Sequence, residues 1–160
     1  MGAARDGFEE RQGLGSVPPG GTVERWCLDF VSTSNLKEKL APTGMPDANE
    51  HAWELGAPER RIAAPGRPTE LSVLARSPPA PRAQALVQRE ARARLLHTFV
   101  HHELQAAELF AWAILAYPRT PLAFRAGLLR LCREELGHLT LYLEHMRGLG
   151  TDFGAHPVRD

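Results

Sequence analysis

Cysteine is scarce, neither sign of charge prevails, and no apolar run is long. The 160 residues hold two cysteines, Cys27 and Cys132. That is too few for a disulfide framework and fits a reducing compartment. Lys plus Arg number 19 and Asp plus Glu 19, for a formal net charge of +0. No global field therefore draws the chain to nucleic acid or to a membrane surface. The longest apolar stretch, residues 109–117, has about half the length that spans a bilayer. Residues 1–21 lack the apolar core of a secretion signal, and no repeat appears at solenoid spacings. What is left is a single domain by length, expected to be soluble and cytoplasmic.

Proline and glycine are unevenly spread. Residues 1–21 are rich in both, with scattered charges, and read as a disordered tail. Residues 22–31 have helical spacing, with Val23, Trp26, Cys27 and Phe30 on one side, and residues 36–40 suit a further helical turn. From 41 to 82 prolines recur too often for long helices, with breakers at Pro65-Gly66-Arg67-Pro68 and Ser77-Pro78-Pro79-Ala80-Pro81. This stretch reads as an irregular arm anchored by Trp53, Leu55, Ile62, Leu71, Val73 and Leu74. From 83 onward no proline appears until Pro118, and good helix formers dominate. One long helix is expected over 83–117. A second is expected over 120–146, with Thr120 as N-cap, Pro121 in the first helical position, and Gly148 and Gly150 as stop signals. The short connection makes them an antiparallel hairpin. The chain thus divides into a tail (1–21), a short helix plus arm (22–82), a helical hairpin (83–150) and a C-terminal tail (151–160), with an all-α fold.

Charged side chains interrupt the apolar stripes. A helix advances about 100° per residue. In the first long helix Leu96, Phe99, Val100, Ala106, Ala107, Phe110 and Ile114 form a stripe with Glu103 near its centre, and His97, His101 and Glu108 lie roughly opposite. That helix is apolar nearly all round, so Glu103 could instead be a surface residue. In the second, Phe124, Leu128, Leu131, Leu139, Tyr142 and Met146 form the stripe, with Glu135 at its centre and His138 toward one edge. Glu103 and Glu135 each lie about 14 residues from the turn, roughly 21 Å at about 1.5 Å per residue. A carboxylate and an imidazole inside a bundle cost several kcal/mol unless paired, and a metal ion pairs with both. One helix giving a Glu and its neighbour a Glu-x-x-His resembles a carboxylate-bridged metal half-site. Glu103, Glu135 and His138 are the candidate ligands, and His101, His102, Glu134 and His145 are candidates to orient them. An alternative is zinc on the outer face, held by the i,i+4 pair His97 and His101. Cys132 reads as a small core residue.

Two of these segments, His102-Glu103-Leu104-Gln105-Ala106 and Glu134-Glu135-Leu136-Gly137-His138, resemble those of ferritin-like di-iron proteins, including rubrerythrin-type ones. More closely, the chain resembles a bacterial ferritin-like family, the domain of unknown function numbered 455. The likeness lies in His101 to Ala106, in Phe124-Arg125-Ala126-Gly127-Leu128, in Ala64-Pro65-Gly66-Arg67-Pro68, and in Phe153-Gly154 with Pro157-Val158-Arg159-Asp160. It covers nearly everything after Gly21. Members continue past the equivalent of Asp160 with two more helices and a second Glu plus Glu-x-x-His set. The resemblance therefore implies that this chain is C-terminally truncated and carries half of a four-helix bundle and half of a di-metal site.

Three readings follow from that resemblance. In the first, the chain is a di-iron or di-manganese oxidoreductase completed by a homodimer or by a second ferritin-like hairpin, handling O2 or peroxide. Relatives of this architecture also hydroxylate substrates, including modified tRNA bases. The neutral charge lends no support to a nucleic-acid partner, and an arginine patch (Arg89, Arg92, Arg94) is expected to be a solvated helix face. In the second, the chain is a non-catalytic metal-binding or helix-pairing module. In the third, it is an inactive fragment. Iron and manganese both suit such a ligand set.

Overall fold

The computed structural model describes residues 16–47, 53–72, 74 and 79–158. Four α-helices appear among them: α1 (Val23–Ser32), α2 (Leu36–Leu40), α3 (Arg89–Ala116) and α4 (Leu122–Gly148), with a 3-10 segment at Ala83–Val87 before α3. No strand occurs among the described residues. Helices α3 and α4 pack as an antiparallel hairpin, and α1 lies against α3. The fold is all-helical.

Local chemistry sets the helix ends. Thr22 caps α1 by accepting from the backbone N–H of Arg25, and Asn35 caps α2 by accepting from that of Glu38, each at 3.2 Å. The expected continuous helix from residue 83 breaks at Gln88, whose backbone is extended. Arg92 reaches back there and donates to the carbonyls of Leu86 and Val87. The expected N-cap Thr120 is displaced by one position, because its hydroxyl donates to the Tyr117 carbonyl at 2.8 Å. Pro121 takes the cap position and α4 starts at Leu122. At the far end Gly150 adopts φ +75°, and Arg89 donates to the Leu149 carbonyl at 2.7 Å. Arg89 and Arg92 therefore close helix ends and are not an unoccupied basic patch.

The buried face of α3 differs from the expected stripe. Val100, Leu104, Ala107 and Ala111 are fully buried, and so are His97, His101 and Glu108, whereas Phe99 is exposed. The two turns of polar residues at 97, 101 and 108 share one side of the helix. That side is covered by α1, the arm and residues 151–158. Glu103 consequently sits at the edge of the buried face and not at its centre. Cys27 and Cys132 are both free and buried, and burial pushes the Cys132 thiol up to about 12, so neither is a ready nucleophile.

The described part of 41–82 carries no helix or strand. Ile62 and Leu71 are buried, Trp53 is half-buried under the Arg125 guanidinium, and Leu55 is exposed and anchors nothing. Val73 lies outside the described residues. Two segments read as tails are held. Ser16 accepts from Arg60 at 2.8 Å. Phe153 and Val158 are buried, with Val158 and Leu74 joined by a backbone hydrogen bond of 2.8 Å. Residues 1–15, also read as a disordered tail, lie outside the described residues.

The arm crosses the end of α1 at Gly66, where the backbone N–H donates to the Val31 carbonyl at 2.9 Å. A Cβ there would lie 2.2 Å from the Ser32 oxygen and 2.4 Å from the Thr33 oxygen. Backbone cannot give way as a flexible side chain does. Gly66→Ala should therefore cost about 3 kcal/mol, lowering the melting temperature by roughly 6–12 °C in a thermal scan. A shift within a degree of wild type would show that the arm does not hold this crossing in solution.

Candidate metal centre

Glu103, near the middle of α3, and Glu135 and His138, one turn apart on α4, converge. His138 Nδ1 lies 3.2 Å from Glu135 Oε2 and 3.6 Å from Glu103 Oε2. One donor atom from each residue falls within 4.8 Å of the others, and no other such group occurs among the described residues. The carboxylates are about one-fifth exposed, at 20% and 21%, whereas His138 is 55% exposed. The imidazole thus faces solvent while the two carboxylates are mostly covered.

Its electrostatics favour an added positive charge. Partial burial, and then the adjoining Glu135, raise the Glu103 carboxyl above its ordinary range. The hydrogen bond to Glu135 raises the His138 imidazole, and the charge of Glu103 adds to it. With His138 neutral the group carries two negative charges and one lone-pair donor. A proton or a bound cation relieves the repulsion between the carboxylates.

The surrounding face is apolar and incompletely covered. Phe99 on α3 packs on Tyr142 of α4 with ring centroids 5.5 Å apart, yet Phe99, Phe124 and Leu131 remain exposed. Phe110 and Leu128 are half-buried. The triad lies within this stripe.

The other candidates stand elsewhere. His102, Glu134 and His145 are exposed, and among the described residues none of them hydrogen-bonds to the triad. His101 is buried on the other side of α3, with its ring 6.3 Å from that of Phe153. His97 and His101, the alternative zinc pair, do not lie on an outer face: both are buried. His97 is buried and its Nε2 accepts from the backbone N–H of Gly154 at 3.1 Å. Burial, with His156 and His101 nearby, pushes His97 down to about 4.

That shift has a consequence for stability. An unfolded histidine takes up its proton near pH 6.5 and the folded one near 4, so between these values the unfolded chain binds more protons. The contribution of His97 is fully present above pH 6.5 and is lost as the pH falls toward 4, by about 3 kcal/mol in all. Urea titrations at pH 7, 5.5 and 4.5 should show this loss, and His97→Gln should reduce the slope. Equal slopes in the two chains would show that His97 is not the responsible group.

Sequence reasoning missed two buried ion networks. Glu108 accepts from Lys39 Nζ at 2.6 Å and from Arg67 Nη1 at 2.8 and 2.9 Å. Glu24 accepts from Arg125 at 3.1 Å and from the backbone N–H of Glu54, and Glu54 forms a two-pronged pair with Arg60 at 2.7 and 2.9 Å. The shared helical side of 97, 101 and 108 was the signal for the first; the second left none.

A family profile described as "Protein of unknown function (DUF455)" matches residues 32–160. The chain belongs to that family. No curated protein and no solved structure matches it.

Proposed function

We propose that this DUF455 protein is a ferritin-like, cytoplasmic metal-binding protein in which Glu103, Glu135 and His138 form half of a carboxylate-bridged di-iron or di-manganese centre. The convergence of these three side chains from two helices carries the reading. The donor set fits the group: two hard carboxylate oxygens and one imidazole suit iron(II) or manganese(II), and the site already favours a cation. When bound, such a pair supplies two-electron redox chemistry toward O2 or peroxide, the oxidoreductase reading.

Three ligands from one hairpin leave a di-metal centre short of donors. The stripe around the triad is also short of cover, with Phe99, Phe124 and Leu131 each giving up part of a burial worth roughly 1.5–3 kcal/mol. A second hairpin of the same kind, in a homodimer, answers both needs, bringing the total to four Glu and two His. Within this arrangement Glu103, Glu135 and His138 would hold the metal, and the aromatic stripe would limit the access of water to it. Elemental analysis beside light-scattering mass, with and without chelator, tests the reading. About one metal per chain in a chelator-sensitive dimer is expected. A stable metal-free dimer would favour the helix-pairing module instead.

A further inference from the structure

A second polar concavity lies on the far side of α3 from the triad. A cleft of about 460 Å³ is bordered by Arg94, His97 and His102 of α3, by His156 of the C-terminal segment, and by Pro81 and Pro157 among its apolar walls. That volume is in the range of small-molecule sites. Among the described residues, every ionisable side chain lining it is Arg or His.

His97 is the built part of this cleft. It is only 2% exposed. The Gly154 backbone N–H can only donate, so its bond to Nε2 makes that nitrogen the acceptor and places the ring proton on Nδ1. The ring is held against Phe153, centroids 4.6 Å apart, and meets His156 edge-on at 5.3 Å. Burial keeps His97 neutral at physiological pH, so this tautomer persists. Among the described residues no group accepts from Nδ1–H, and His97 borders the cleft, so this N–H is open to donate to water or to a ligand there.

We propose that this cleft binds a small organic anion, with an oxyanion that pairs with Arg94 and accepts from His97 Nδ1–H, and with a compact apolar body lying on the prolines. Arg94 supplies the fixed charge and the two-pronged donor geometry suited to a carboxylate or a phosphate. His102 and His156 add further donors at the rim.

The probes are benzoate and phenyl phosphate, each titrated into the full chain at pH 7 and followed by 15N NMR of the histidine rings. Saturable movement of the His97 Nδ1 resonance is expected, with binding weakened about tenfold in Arg94→Ala, the loss of one charge-assisted hydrogen bond. Saturation by benzoate alone assigns a carboxylate ligand, and by phenyl phosphate alone a phosphate ester. Either supports the site. No saturable movement with either probe would overturn it. So would saturation that both Arg94→Ala and His102→Ala leave unchanged. Glu135→Ala should bind the probes as wild type does, so this result stands apart from the metal centre.

Discussion

Replacing Glu108 with alanine should lower the unfolding free energy by about 3–5 kcal/mol, the cost of removing one partner from a buried ion network. Glu108 is 4% exposed and Lys39 fully buried. The carboxylate receives Lys39 and Arg67 together, while Lys39 Nζ also donates to the carbonyls of Phe30 and Val31 at 2.8 Å each. Those carbonyls end α1, where a cation is favourable. One side chain of α3 therefore holds α2, the end of α1 and the arm at Arg67. Without it Lys39 keeps its carbonyl partners but loses the charge that offsets its burial. Glu108→Gln should fall between wild type and Glu108→Ala, since the amide can still accept but carries no charge. Urea unfolding gives the free energies, and hydrogen exchange should show α2 and the arm opening first. A loss under 1 kcal/mol in Glu108→Ala would show that the network is not a stabilising element. The variant leaves the metal centre untouched, so its metal content should match wild type.

The hairpin was legible because its two helices are long, free of proline and periodic, and packing follows that period. The meeting of Glu103, Glu135 and His138 was legible for a separate reason. Equal distance from a short turn puts two residues of an antiparallel pair at one height, whatever the details of the core. The centre of the α3 face was not legible. Its residues are apolar on nearly all sides, so periodicity alone leaves the direction of burial open by about a quarter turn. His97, His101 and Glu108 were read as an outer face, yet they form a second inward side whose partners come from Lys39, Arg67 and Gly154. Those partners lie 41 to 69 residues away along the chain, in segments without a periodic pattern. Pairings between an irregular arm and a helix depend on tertiary routing, and no local rule encodes it. The same holds for Gly66. Its Pro-Gly context signals a turn, but the close approach to Ser32 and Thr33 belongs to the crossing of two segments.

Glu135→Ala should lower bound iron or manganese at least about tenfold, since even groups that only support a ligand contribute that much, and should abolish any metal dependence of dimerisation. Glu135 interacts with both of the other residues. It hydrogen-bonds His138 and stands close enough to Glu103 to raise its carboxyl. Its removal leaves one carboxylate and one largely exposed imidazole, too few to hold a hard divalent cation against water. Two hairpins meeting without metal would bring four carboxylates into a poorly hydrated interface, where they must protonate or repel. Two divalent ions balance four carboxylates. Metal and partner are thus expected to bind together, each raising the affinity for the other. Glu103→Ala should behave like Glu135→Ala, whereas Glu134→Ala, an exposed neighbour, should retain wild-type metal and mass. Light-scattering mass and elemental analysis after anaerobic loading with ferrous iron decide the matter. A chain that stays folded, monomeric and metal-free under that loading would rule out the shared centre.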